Sequence, residues 1–260
     1  MKNKKLHELA VCGIEAVKAL EKAHGDIITR LYFNQERAPQ FGGLCKRLAA
    51  AKKPYNCVQD DSELEKLCGS IHHQGVVAMI PQLEIPQLDS KVVASWIKNK
   101  EHAILLDRVG NANNLGAIIR SAVFFGIDNI VIPLDEAQSS VTTSSYRVAQ
   151  GGMEFVRLFT VASIPKLMQD LEGKMLRLGT EVRAKKTLKD LPSMVKGKPV
   201  LLVLGNEEQG ISKSVADNCD ELIRIAGKEQ PYYGNTIRTA VESLNVAQAA
   251  TLFLYELSKL

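Results

Sequence analysis

The chain has 260 residues, 45% of them hydrophobic, and carries 33 basic against 29 acidic side chains for a formal net charge of +4. That length buries roughly 70 to 75% of the unfolded surface and suffices for one large domain or two ordinary ones. The longest apolar runs, such as Pro199 to Gly205 (PVLLVLG), fall far short of the roughly 18 to 20 residues that span a bilayer, so no membrane helix is expected.

At the front, Leu9, Val11, Ile14, Val17 and Leu20 share one helical face and predict a helix over about Leu6 to Lys22. Its frequent charges are unlike the apolar core of a signal peptide, which gives the cytoplasm as the expected compartment. ITRLYF reads as a strand, helices are predicted around Gly42 to Ala51 and Asp61 to Leu67, and HHQGVVAMI closes the region as another strand. Residues 1–80 are therefore expected to form a small α/β domain. PQLEIPQLDSK, Pro81 to Lys91, has two prolines and little periodicity, so residues 81–100 are expected to link that domain to the remainder of the chain. Beyond lie buried-type strands at AILLDRV, NIVIP, FVRLFTV, MLRLGTEV, PVLLVLGN and ELIRIA, with helical patterns between most of them and a last helix from about Thr239 to Leu257. Near-continuous apolar strands alternating with amphipathic helices predict a doubly wound parallel sheet over residues 101–260.

In such sheets ligands collect at the carboxyl ends of strands. Three loops there have unusual composition. In the first, Asn113 and Asn114 open a helix that carries Arg120. In the second, an apolar strand runs into LGNEEQGIS, Leu204 to Ser212. In the third, Glu242, Ser243 and Asn245 precede the last helix. Each has a plainer explanation: asparagine is a common helix cap, Gly205 and Gly210 serve turns, and Ser243 and Asn245 can cap the terminal helix. Taken together, they gather amide, carboxylate and guanidinium groups at one end of one sheet.

NxGxxxR (Asn114, Gly116, Arg120), GNExxGIS (Gly205 to Ser212) and ESLNV (Glu242 to Val246) resemble, in order and spacing, the three signature motifs of the SpoU, or TrmH, branch of the SPOUT RNA methyltransferases. GIEAVKAL and HQGVVA in the front region are similar to the RNA-binding domain of RlmB-type relatives, a small α/β fold shared with some ribosomal proteins. The resemblance implies a SPOUT-type parallel sheet with a C-terminal trefoil knot. It also implies a homodimer, S-adenosyl-methionine as cofactor, and methylation of a ribose 2'-hydroxyl in ribosomal or transfer RNA. It places Leu204, Gly205, Asn206, Gly210, Ile225, Ser243 and Leu244 at the cofactor, and Asn114, Arg120, Glu207 and Asn245 around the reacting ribose.

The chemistry gives these residue types a reason. A weakly acidic alcohol must lose its proton while attacking a sulfonium methyl, and a nearby phosphate must be held still. A guanidinium suits phosphate through its bidentate fork. It hardly ever deprotonates, so the role of Arg120 stays open between base, phosphate clamp and stabiliser of the developing alkoxide.

One stretch departs from the family pattern. Relatives read IPMxG before the third motif, whereas this chain has Ile225, Ala226 and Gly227 and roughly ten extra residues. The insertion, 226–241, is expected to be either a mobile lid on the cofactor or RNA side of the site or a surface excursion tolerated because loop length costs little. Tyr232 and Tyr233 would stack on bases or pack the loop, and Lys228 and Arg238 would meet phosphate. The altered segment also motivates an alternative function, an RNA-binding protein of this fold that has lost methyl transfer. A nicotinamide-dependent oxidoreductase is disfavoured because no GxGxxG follows the early strands. Cysteines at 12, 45, 57, 68 and 219 form no CxxC pair and read as small buried hydrophobes. His72 and His73 have no partner at ligand spacing and read as structural.

Overall fold

The computed structural model describes residues 7–135, 138–227, 230–232, 236–238 and 243–260. The elements run β1 (Glu8–Cys12), α1 (Ile14–His24), β2 (Arg30–Asn34), α2 (Gly42–Ala50), β3 (Tyr55–Val58), α3 (Asp61–Cys68), β4 (Val76–Pro81), α4 (Ser90–Asn99), β5 (Ala103–Asp107), α5 (Ala112–Phe124), β6 (Asn129–Pro133) and α6 (Thr143–Ala149). They continue with β7 (Arg157–Val161), α7 (Ile164–Asp170), β8 (Leu176–Thr180), β9 (Lys186–Thr187), α8 (Leu191–Val195), β10 (Val200–Gly205), α9 (Lys213–Ala216), β11 (Glu221–Arg224), β12 (Gln230–Tyr232), β13 (Thr236–Arg238) and α10 (Val246–Leu257). The chain divides into two compact units. The first joins residues up to 84 with 115–120 and 140–156, and the second holds 85–114, 121–139 and 157–260.

The first unit contains a four-stranded sheet of order β1-β4-β2-β3. Its first strand corrects the helix expected over Leu6 to Lys22. Glu8–Cys12 pairs antiparallel with β4, Leu9 facing Ile80 and Cys12 facing Val77. All five residues are buried, so the segment has no polar face on which a surface helix could depend. Gly13, at φ +100, lies in a backbone region that L side chains rarely adopt and ends the strand, and α1 starts only at Ile14. β3 gave no sequence signal because it is short, mostly exposed and at the sheet edge. HHQG is a turn leading into β4, in which the buried His73 accepts a hydrogen bond at Nδ1 from the Gly75 amide at 3.0 Å. Ala10, Cys12, Val77 and Met79 pack with Leu64 and Cys68 of α3 on one face of the sheet. α6 packs on β1.

In the second unit a seven-stranded sheet has the order β7-β6-β5-β10-β8-β11-β9, and every pairing is parallel. One face carries Leu105, Val131, Phe159, Leu201 and Val203 against α4, α7 and α9. Trp96 of α4, within the stretch 81–100, is fully buried there and meets the Phe159 ring edge-on at 5.7 Å. The alternate side chains Ile104, Leu106, Leu202 and Leu204 are buried too, so the apolar runs reflect two covered faces. α10 packs on β10 and begins at Val246. Asn245 caps it with its side chain, which moves the start from the expected Thr239, itself outside the described residues. β12 and β13 form a two-stranded antiparallel hairpin inside the insertion. Residues 228–229, 233–235 and 239–242, with Lys228, Tyr233, Gly234 and Glu242, lie outside the described residues. No helix of the described residues is long and apolar enough to cross a membrane.

Candidate active site

β5 and β10 are far apart in sequence but adjacent in the sheet, with Asp107 opposite Gly205. Both strands are parallel, so the loops after them leave the same edge side by side. Asp107 ties these loops together. It is 3% exposed, its Oδ2 accepts a hydrogen bond from the Ser212 amide at 2.6 Å, and its Oδ1 accepts one from Arg108 Nε at 3.1 Å. Arg108 sits at φ +62 and extends to Gln209 Oε1 at 3.2 Å. Its carbonyl accepts from Asn206 Nδ2 at 3.1 Å. Behind the first loop, the buried Gln138 side chain bridges the amide and carbonyl of Val109, each at 3.0 Å.

The second loop closes on itself. Asn206 and Gly210 exchange backbone hydrogen bonds of 3.0 and 2.9 Å. Asn206 Oδ1 accepts from the amides of Glu208 and Gln209. Gly210, at φ +67, permits the reversal. A Cβ on Gly205 would lie 2.2 Å from Gly210 C and Ile211 N, so the loop folds flat over a residue that must have no side chain. Glu207 is thereby left exposed at the tip.

The helix cap of α5 is Asn111, whose side chain accepts from the Asn113 amide at 2.8 Å. That leaves Asn114 for another task. Its Nδ2 donates to the Glu207 carboxylate, and its Oδ1 accepts from Asn245 Nδ2 at 3.1 Å. Asn245 Oδ1 in turn accepts from the Ala247 amide at 2.9 Å, capping α10. A chain of hydrogen bonds thus runs from the start of α10 through Asn245 and Asn114 to Glu207, and it joins all three sequence motifs. The capping explanation holds for Asn245 and fails for Asn114.

Arg120 is exposed and makes no hydrogen bond or ion pair to these three among the described residues. Six helical residues correspond to a rotation of about 240° and a rise of about 9 Å, so Arg120 leaves α5 on a different side from Asn114. In the first unit it lines a cavity of about 530 Å³. Gly116, between the two, meets Ser145 so closely that a Cβ would lie 2.5 Å from its carbonyl oxygen. The glycine of the first motif therefore serves helix packing.

Of the residues expected at a cofactor, Leu204 is buried at the end of β10, Ile225 is half-buried directly after β11, and Ser243 and Leu244 are exposed just ahead of Asn245. Asp107 and Gln138 were missed by sequence reasoning, and Ser212 was read as the end of the second motif but not as the partner of Asp107. The one signal for them was a carboxylate ending an otherwise apolar strand.

The SpoU rRNA Methylase family matches residues 101–255, and the RNA 2'-O ribose methyltransferase substrate-binding family matches residues 10–86. The chain belongs to the SpoU rRNA methylase family. Among similar proteins, the 23S rRNA (guanosine-2'-O-)-methyltransferase RlmB of Acinetobacter baylyi is 30% identical over 253 residues, 94% of either chain. RlmB of Nitrosomonas europaea is 28% identical over 251 residues, 96% of this chain and 91% of its own. The solved structure of the SpoU methyltransferase AviRb from Streptomyces viridochromogenes, in complex with AdoMet, has a TM-score of 0.69 at 22% identity and covers 98% of this chain and 91% of that one. As a SpoU methylase the chain is an RNA methyltransferase whose methyl donor is S-adenosyl-methionine.

Proposed function

We propose that the chain methylates a ribose 2'-hydroxyl of ribosomal RNA, with Asn114, Glu207 and Asn245 around the reacting hydroxyl and Arg120 on a phosphate. The observation that carries this reading is the hydrogen-bond chain linking Glu207, Asn114 and Asn245 at the carboxyl edge of a parallel sheet. The ribosomal target follows from the RlmB relatives, whose names specify 23S rRNA.

The residues at the sheet edge fit the cofactor: parallel strand ends at Leu204 and Ile225 place backbone there, and Leu244, 45% exposed, offers an uncovered apolar side chain suited to a flat base. Leu204, Gly205, Asn206, Gly210, Ile225, Ser243 and Leu244 would hold it. When bound, it supplies an electrophilic methyl on a sulfonium. The remaining work falls to this chain's own side chains. Glu207, the one carboxylate of the set, would accept the hydroxyl's hydrogen bond and take its proton as the oxygen to carbon bond forms and the methyl to sulfur bond breaks, the electron pair staying on sulfur as a neutral thioether. Asn114 donates to that carboxylate and so holds it oriented, while Asn245 holds Asn114 against the capped helix. Arg120 remains a cation and grips phosphate.

The division of labour is residues 1–80 for RNA, 81–100 as connection and 101–260 for methyl transfer. A homodimer and the C-terminal knot belong to the same reading. In favour of the dimer, Phe124 and Tyr255 are 81% and 47% exposed, and both ring systems touch Phe125, a patch suited to a second copy.

The test supplies purified chain with methyl-labelled S-adenosyl-methionine and ribosomal RNA from cells lacking the gene, followed by mapping of 2'-O-methyl positions. One methylated ribose is expected. RNA binding with no incorporation would instead favour the binding protein that has lost transfer, the reading motivated by Ala226 and Gly227.

A further inference from the structure

The cofactor residues read from the motifs lie on two strands of the second unit, Leu204 and Gly205 at the end of β10 and Ile225 directly after β11. These strands are not neighbours. β8 runs between them and pairs in parallel with both, Gly179 facing Val203 on one side and Leu222 on the other. Neighbouring strands are about 4.8 Å apart, so the ends of β10 and β11 are separated by about 10 Å, with the end of β8 halfway. A ligand that touches both passes over Thr180 and Glu181. None of the three motifs includes these residues.

Glu181 is held in that gap. Its amide donates to the Ile223 carbonyl at 3.0 Å, and its carbonyl accepts from the Ala184 amide at 3.0 Å, so a tight turn carries the chain off the strand. Its Oε1 accepts from the Arg183 amide at 3.2 Å, which orients the carboxylate. Its Oε2 makes no hydrogen bond or ion pair among the described residues, and it lies 3.9 Å from the point where a Cβ on Gly210 would stand. The carboxylate therefore reaches from the end of β8 to the loop after β10, with one oxygen left to accept.

We propose that Glu181 is a cofactor-binding residue whose charge favours the methyl donor over its spent product. The proposal rests on the reading that places S-adenosyl-methionine at this sheet edge. At neutral pH the donor carries an ammonium, a carboxylate and a sulfonium, which leaves one net positive charge. Once the methyl has gone, the sulfur is a neutral thioether and the net charge is zero. A carboxylate can accept hydrogen bonds from the ammonium or ribose hydroxyls of either molecule, but it attracts the sulfonium of the donor alone. Methyl transfer thus removes part of the attraction that held the cofactor, and the product leaves more easily than the donor.

The experiment is calorimetric titration of the full chain with S-adenosyl-methionine, S-adenosyl-homocysteine and sinefungin, in which a carbon bearing a protonated amine replaces the sulfonium. Glu181→Gln keeps an acceptor for the Arg183 amide and removes the charge. It should weaken S-adenosyl-methionine and sinefungin roughly fivefold to twentyfold, and S-adenosyl-homocysteine no more than about twofold. Glu181→Asp, which retains the charge, should keep the wild-type preference for the donor over the product. The ratio of the two affinities within one variant is the deciding quantity, because a damaged turn would weaken all three ligands together. Equal loss for donor and product in Glu181→Gln, or no loss for either, overturns the inference while wild-type binding upholds the sheet edge as the cofactor site. Failure of the wild type to bind any of the three would overturn the placement of the cofactor, and this inference with it.

Discussion

The loop edge of the second unit and the arginine cavity of the first treat their functional groups in opposite ways. At the edge, Asn114, Glu207 and Asn245 are held by hydrogen bonds to one another, and the loops beneath are pinned by Asp107, Gln138 and the flat packing over Gly205. In the cavity, Arg120 is exposed on a helix side chain with several free torsions. On the proposed reading, orientation at a reacting hydroxyl demands fixed short groups, whereas a phosphate tolerates a long cation with free torsions, so the difference would separate positioning from charge.

The largest test of that contrast is Arg120→Ala. Turnover should fall more than hundredfold, about 2.7 kcal/mol, with the thermal midpoint unchanged because the side chain is exposed. Activity above a tenth of wild type would remove Arg120 from the site.

Gly205→Ala should act through structure. Its Cβ would enter the backbone of Gly210 and Ile211, and a forced shift of that loop costs about 2 to 3 kcal/mol. Denaturant unfolding should show that loss, together with weaker cofactor binding; wild-type stability would mean that the loop yields easily.

Glu207→Gln keeps the partner for Asn114 but removes the charge, and should lower kcat on the order of tenfold to hundredfold with little change in KM. An unchanged kcat would assign Glu207 to positioning alone.

The smallest effect is expected at Glu154, which neither site uses. Burial raises the carboxyl pKa of Glu154 to about 7, against the opposing pull of His24 3.9 Å away. The unfolded group loses its proton near 4.5 and the folded one near 7, so rising pH across that window lowers stability, and the full penalty remains above it. Glu154→Gln should therefore stabilise the protein by about 1 to 2 kcal/mol at pH 8 and much less at pH 5. Unfolding curves at the two pH values check this, and an equal effect at both would contradict it.

The apolar strands AILLD and VLLVLG, the loops after them and the three motifs were legible in the sequence, because burial on both faces and glycine at a reversal leave direct marks on composition. β1 was not legible. A fully buried five-residue run satisfies helical and strand spacing alike, and only pairing with β4 decides between them. Nor could the chain show that Asn111 caps α5 and frees Asn114, that Gly116 is a packing contact, or that Asp107 locks a loop 105 residues further along. Local spacing records what a residue does for its own element. Strand order places β10 beside β5, and that adjacency alone brings Glu207 to Asn114 and Asn245.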